Sequence, residues 1–479
     1  MSFRNEVLRG LKWTATGRLT SQIVTWGVTI MLLRLLNPED YGLMALASIF
    51  SALFTLLAEV GLGPTLVQNK DLTPQRVKQI FGLVILTNAA AALTMAFVVS
   101  PLVAMFFGEE RLQLVIQVIA LQFVPAAFAI VPGALLERNL EFRGKTIADL
   151  VSNIGGSLLM LWLAYHGFGV MALAWGSLGV ATIRAVGLNI ARPMSMLPSF
   201  DFKGCGGLFN FAGNVTGTQL IWFTYSQADL FIIGKFLGKH DLGIYSVSMD
   251  VASLPASRVS AILNQVVFPS LSKVQREGGP VSYYMLVGLR TISLLSFPVM
   301  WGLSSVAPEL VQVLMGDKWL ESVTPLALLC LIMPLRVLSP LLHSGLYAVG
   351  RADRSFNITF ITAVVMCLSF LVGAQFGLLG LSLAWLVAFP AVFLMNLIGS
   401  GACLGLTTGR ILGALSRPAL ASVVMYAAVA GSRLAVDAPA AVKLGALIAI
   451  GAATYLLVSW WLNREGLVEV RGLLRRKAL

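Results

Sequence analysis

Apolar runs of about twenty residues recur along this chain almost from end to end, and that spacing fixes its solvent. A helix rises about 1.5 Å per residue, so a hydrocarbon layer of roughly 30 Å is crossed in about 20 residues. Apolar residues make up 57% of the 479 and charged ones 12%, a surplus that no aqueous core could bury. The two-residue alternation of barrel strands is missing. Helices remain, because only a helix or a closed barrel satisfies its own backbone in lipid. The chain therefore reads as an all-α integral membrane protein of about fourteen spans. They are expected at 13–36, 41–67, 81–107, 112–136, 147–166 and 169–190, then at 208–234, 243–268, 282–304, 322–349, 356–376 and 378–402, with a last pair at 417–435 and 441–462.

The net charge of +12 is not a nucleic-acid stripe. Basic residues gather in alternate connections: Arg4, Arg9 and Lys12; Lys70, Arg76 and Lys78; Arg138, Arg143 and Lys145; Arg192 and Lys203; Lys273 and Arg276; Arg351 and Arg354; Arg410 and Arg417; and the tail after residue 463. The opposite side receives only Arg34, Arg111, Lys235, Lys239, Lys318, Arg433 and Lys443. By the positive-inside rule both termini are expected in the cytoplasm. Arg4, Arg9 and Lys12 before an apolar run imitate a signal peptide, and Ala45-Leu46-Ala47 imitates its cleavage site. Arg18, Arg34, Glu39 and Asp40 interrupt that run, so an uncleaved first helix is expected. The tail at 467–479 mixes Leu and Val with Arg471, Arg475, Arg476 and Lys477, which suits orientation at an anionic inner leaflet.

The chain repeats itself. Arg34, Leu36, Asp40, Gly42 and Leu43 at the first outer junction match Lys235, Leu237, Asp241, Gly243 and Ile244 at the fourth, at constant offset. Duplication of a six-helix unit follows, and an even number keeps both copies in one orientation. The expected organisation is an N-lobe at 1–190 with spans one to six, a cytoplasmic linker at 191–207, a C-lobe at 208–402 with spans seven to twelve, and the last pair with its tail at 403–479. Two such pseudo-symmetric lobes would enclose a central cavity and rock about it, with Pro125, Pro132, Pro255, Pro298, Pro334, Pro340 and Pro390 as places to bend.

Charge inside a span is costly, about 2.5–3.5 kcal/mol for arginine at a helix centre. Arg258 and Arg336 sit mid-span, Arg290 about two turns into its helix and Arg18 little more than one. Arg184 lies near an inner end, where its side chain can snorkel. These arginines suit an anionic substrate, since a guanidinium offers two parallel hydrogen bonds to phosphate. The acids in spans are Glu59, Asp229 and Asp250, with Asp149 at an inner end. Asp250 and Arg258 stand about 80° apart around one helix, on broadly one side. His343 shares the face of Arg336; a lone histidine there is more often packed or hydrogen-bonded than a proton carrier.

No chemical engine is visible. Arg143-Gly144-Lys145-Thr146 resembles the end of a phosphate loop, but Asn139 occupies the place of its first glycine. The four cysteines, at 205, 330, 367 and 403, follow no metal or disulfide spacing. The chain is expected to be neither an enzyme nor a binder of a metal or cofactor.

Gly10-Leu-Lys-Trp-Thr-Ala-Thr-Gly-Arg18, Leu36-Asn-Pro-Glu-Asp40-Tyr-Gly42-Leu, Glu59-Val-Gly-Leu-Gly63-Pro, Asp229-Leu-Phe-Ile-Ile-Gly-Lys235-Phe-Leu-Gly and Asp241-Leu-Gly-Ile-Tyr245-Ser together resemble the polysaccharide transporter family, within the multidrug, oligosaccharidyl-lipid and polysaccharide exporter (MOP, MATE-like) superfamily. The branch is that of colanic acid exporters and other Wzx-type flippases. The resemblance implies translocation of an undecaprenyl-pyrophosphate-linked oligosaccharide from the inner to the outer leaflet of the bacterial cytoplasmic membrane, for exopolysaccharide or O-antigen assembly. It implies that Arg18 and Arg258 line the cavity; Arg290 and Arg336, by their depth in the spans, are further candidates for holding the pyrophosphate or glycan. Glu59, Asp229 and Asp250 are the candidates for binding a coupling sodium ion or proton. The expected partners are the lipid-linked substrate, membrane lipids and the polymerase and export machinery, with no nucleic acid, around a monomer. A cation-coupled drug or metabolite antiporter is the nearest alternative, and a membrane glycan polymerase or ligase is a more distant one.

Overall fold

The computed structural model describes residues 22, 24–59, 73–194, 196–201, 206–256 and 281–464. Among them all regular structure is helical. In chain order these are α1 (Val24–Leu35), α2 (Pro38–Glu59), α3 (Pro74–Phe107), α4 (Glu110–Arg138), α5 (Phe142–Tyr165), α6 (Val170–Ala191), α7 (Gly206–Phe236), α8 (239–256), α9 (Val281–Ser305), α10 (Val323–Ala348), α11 (Ala352–Ala374), α12 (Gly377–Leu404), α13 (Thr408–Ala435) and α14 (Ala440–Leu462). Eleven are long and apolar enough to cross a membrane; α1, α7 and α8 stand where the first, seventh and eighth spans are expected. Within α3, Met95–Val99 forms a π turn, and α4 breaks at Leu121-Gln122. Pro125 then falls in a first turn, where its missing N–H breaks no bond. Pro132, Pro298, Pro334, Pro340 and Pro390 lie inside helices as expected.

The chain forms two compact units, 1–243 and 244–479. In the first, α3 and α4 pack through Ile80, Phe81 and Val84 against Ala127, Val131 and Ala134. The described part of the expected linker runs back along α3, with the Ser199 N–H donating to Lys78 O at 2.9 Å and Gln79 Nε2 to Asp201 O at 2.8 Å. In the second unit α9 and α10 run antiparallel, for Trp301 Nε1 donates to Leu331 O and Ser304 Oγ to Ala327 O, each at 2.9 Å. The most buried span is α10 and the least is α14.

The last pair, α13 and α14, packs on α9. Val306, Val429 and Leu447 form one buried cluster, and the Tyr455 hydroxyl donates to Leu294 O at 2.8 Å. Arg433 forms an ion pair with the buried Glu309, its Nη2 donating to Oε2 at 3.0 Å and its Nε lying 2.9 Å from Oε1. These helices are integral to the second unit.

The repeated junction motif has a structural explanation. Pro38 fits the first turn of α2, where its missing N–H would be unpaired anyway. The Asp40 carboxylate accepts the Asn37 N–H through Oδ2 and the Val170 N–H through Oδ1, each at 3.1 Å, so it caps α2 and the start of α6 together. Gly42 lies so near the α7–α8 junction that a Cβ there would sit 1.9 Å from Lys239 O; a Cβ on Gly243 would sit 1.8 Å from Pro38 O. The repeat maps Pro38 onto Lys239 and Gly42 onto Gly243, so the two junctions meet as a local two-fold pair. Small residues permit that backbone contact. Lys239, at this crossing, pairs with Glu109 at 2.8 Å and reaches Glu39 at 4.0 Å.

Candidate functional site

Two of the four arginines proposed from sequence, Arg18 and Arg258, lie outside the described residues, as does the side chain of Glu59 at the end of α2. Asp229, on α7, is buried, and its Oδ1 accepts the Leu230 N–H at 2.9 Å. Asp250, on α8, is exposed. Arg290 on α9 and Arg336 on α10 are both half-buried and belong to the second unit. The register set by Trp301–Leu331 and Ser304–Ala327 places them roughly 8 Å apart in depth along the paired helices.

Arg336 has the most developed surroundings. Its Nη1 donates to Met249 Sδ on α8 at 3.1 Å, and its guanidinium carbon lies 4.3 Å from the ring centroid of Trp385 on α12. Trp385 is itself fixed: Nε1 donates to the Tyr245 hydroxyl of α8 at 2.7 Å, and Phe370 and Phe389 flank the ring at centroid distances of 5.1 and 5.6 Å. Tyr245 and Trp385 are buried, while Tyr245 and Met249 occupy one face of α8, four residues apart. A cation over a desolvated aromatic ring gains about 2 kcal/mol, and a thioether is only a weak acceptor. Among the described residues no carboxylate forms an ion pair with Arg336. Its charge is thus oriented by neutral groups.

Two further residues singled out in the sequence have structural partners. Arg184, expected to snorkel near an inner end, pairs with Asp149 at 2.8 Å between α6 and α5. His343 Nδ1 is 2.8 Å from Ser355 Oγ, a link between α10 and α11. Trp385 was missed in the sequence, where a tryptophan in an apolar run carries no distinguishing signal. Tyr245 stood just beyond the repeated junction, in the stretch Asp241-Leu-Gly-Ile-Tyr245-Ser that resembles the transporter family, which was the one available clue.

The long apolar helices define a multi-pass membrane protein. Residues 31–324 match the family described as "Polysaccharide biosynthesis protein", and the chain belongs to that family. It is 24% identical over 467 residues to the teichuronic acid biosynthesis protein TuaB of Bacillus subtilis, covering 95% of this chain and 96% of that one. To the succinoglycan biosynthesis transport protein ExoT of Rhizobium meliloti it is 25% identical over 393 residues, covering 81% and 79%. Among solved structures it resembles the lipid II flippase MurJ in an inward closed conformation, with a TM-score of 0.75 and 14% identity over 94% of this chain and 99% of that one. That likeness establishes the fold.

Proposed function

We propose that this protein is a flippase that carries an undecaprenyl-pyrophosphate-linked oligosaccharide from the inner to the outer leaflet of the bacterial cytoplasmic membrane, supplying exopolysaccharide or O-antigen assembly. The observation that carries this reading is Arg336, a half-buried cation in a membrane-spanning helix, oriented by Trp385 and Met249 and without a carboxylate partner among the described residues. Such a charge is costly in lipid unless water or an anion meets it, and a pyrophosphate offers the matching oxygens. Family membership and the biosynthetic and transport roles in the relatives' names support a polysaccharide precursor as the cargo.

In this reading Arg336 and Arg290, with Arg18 and Arg258, hold the phosphates while lobes at 1–190 and 208–402 alternate access, and 403–479 completes the second lobe. Both termini face the cytoplasm, and the protein works as a monomer beside the polymerase and export machinery. Asp250, exposed on α8, and the buried Asp229 are the candidates to bind a coupling sodium ion or proton, with Glu59. Depletion of the protein tests the proposal: lipid-linked repeat units should accumulate on the inner leaflet. Their arrival on the outer leaflet at an undiminished rate would sink it.

A further inference from the structure

Helices α3 and α4 form a hairpin whose two arms are interrupted at one level. In α3 the π turn at Met95–Val99 sends the Ser100 N–H back to Met95 O, and the next residue, Pro101, has no N–H to give. Ala96 O accepts from side chains instead, Ser100 Oγ at 2.6 Å and, across the hairpin, Gln117 Nε2 of α4 at 3.4 Å. In α4 the N–H groups of Leu121 and Gln122 turn back three residues, to Val118 O and Ile119 O, and Pro125 withholds the donor that Leu121 O would meet in a continuous helix. The Gln122 amide ties this break to Ser51 Oγ of α2. Both interruptions lie about 15 Å from the turn at Gly108, within the apolar spans. Polar side chains make such breaks tolerable in lipid, and breaks of this kind are where helices bend. An intact helix would splint an interrupted neighbour, but here neither arm splints the other.

The tip of the hairpin is clasped to α7. Lys235 Nζ donates to Phe106 O at 2.6 Å and stands 4.1 Å from the centroid of the Phe106 ring. Phe231, one turn earlier on α7, stacks on Phe106 at 5.8 Å and meets Phe107 edge-on at 5.4 Å. Glu109 pairs with Lys239 at the α7–α8 junction. Both lysines fall on the side expected to be poor in cations, and these contacts give each a local task there. Lys235 and Phe106 are exposed, so their contacts are weak enough to open and close.

We propose that residues 100–120 are a hinged latch: they pivot on Met95–Val99 and Leu121-Gln122, and the grip of Phe106, Phe107 and Glu109 on α7 and the α7–α8 junction opens before cargo leaves at that end. In the transport reading α7 begins the second lobe and the tip lies on the outer side, so the latch sets when the outer end opens. That purpose rests on the transport reading; the hinge and the clasp stand without it.

The test measures distances between spin labels in the full chain, lacking its native thiols and reconstituted in liposomes. Labels on the exposed Met105 and Phe236, one on each side of the clasp, should show a short and a longer distance. Lys235→Met with Lys239→Met should raise the longer fraction by about threefold, as expected for the loss of two exposed contacts. Labels on Leu86 and Val151, exposed and beyond the pivots, should keep one distance. A single tip distance in both proteins would overturn the latch, and a matching change at Leu86 and Val151 would overturn the pivot by showing that the helices move whole. The second arm joins Glu109→Cys to Lys239→Cys with a reducible thiol cross-linker. Joining them should stop flux of the lipid-linked units that accumulate on depletion, and reduction should restore it, a recovery that a merely structural contact would not give. Undiminished flux at complete cross-linking would overturn the proposal. Absence of flux before any cross-linking would instead condemn the transport reading, and the distances would still decide whether the latch opens.

Discussion

Arg336 gains orientation from Trp385 and Met249 without losing its charge to a carboxylate among the described residues. Under the transport reading, Arg336→Ala should cut flux by about tenfold or more, one lost charge-assisted contact being worth about 1.5–3 kcal/mol. Arg336→Lys should retain part of it, because the charge survives while the fork is lost. Vesicle-based flux of the lipid-linked substrate checks both, and full activity of the alanine variant would remove Arg336 from the pathway. Tyr245→Phe should destabilise the protein by about 1–3 kcal/mol, because it leaves the buried Trp385 N–H without its acceptor. Thermal unfolding in detergent reads that loss. The double replacement Tyr245→Phe with Trp385→Phe should recover part of it, since both polar groups are then gone.

At the scale of elements, two contacts hold helices at positions that propensity alone would not choose. The crossing at Gly42 and Gly243 tolerates no Cβ on either side. Gly42→Ala and Gly243→Ala should therefore lower the unfolding temperature by similar amounts, because each pushes against the partner junction's carbonyl. A much smaller shift for one would argue against the two-fold arrangement. Arg433 holds α13 to the buried Glu309. Arg433→Ala should cost about 3–5 kcal/mol by leaving that carboxylate buried and unpaired, and Arg433→Met combined with Glu309→Gln should restore most of it. A double-mutant cycle on thermal unfolding measures the coupling. The same element scale shows where sequence reading stopped short. The motif around Asp40 was legible as a repeated and family-like feature, yet its work is to cap α2 and α6 and to permit a close crossing.

For the whole molecule, membrane orientation makes the sharpest prediction. With both termini inside, a cysteine at Phe168 or Gln375, in a variant lacking the native thiols, should react with an impermeant maleimide added to intact cells. One at Arg354 should react only after the membrane is opened. The reverse pattern would invert the topology and the direction of transport with it. An inside-negative potential should also speed export of a net anion, by as much as about 2.3 kcal/mol per charge per 100 mV if the charge crosses the whole field.

Hydrophobic length and the lipid requirement for a satisfied backbone are local properties, so the solvent, the helical class, eleven of the spans and the repeat were legible along the chain. It also exposed Arg336 and Arg290, since a charge in an apolar run is conspicuous wherever the chain folds. The partners of the charges became visible in the packing of the helices alone: Asp149 for Arg184, Glu309 for Arg433, and for Arg336 the face of Trp385, some fifty residues further along the chain. Ion pairs and cation–aromatic contacts depend on distances between helices, and spacing along a chain carries no measure of those.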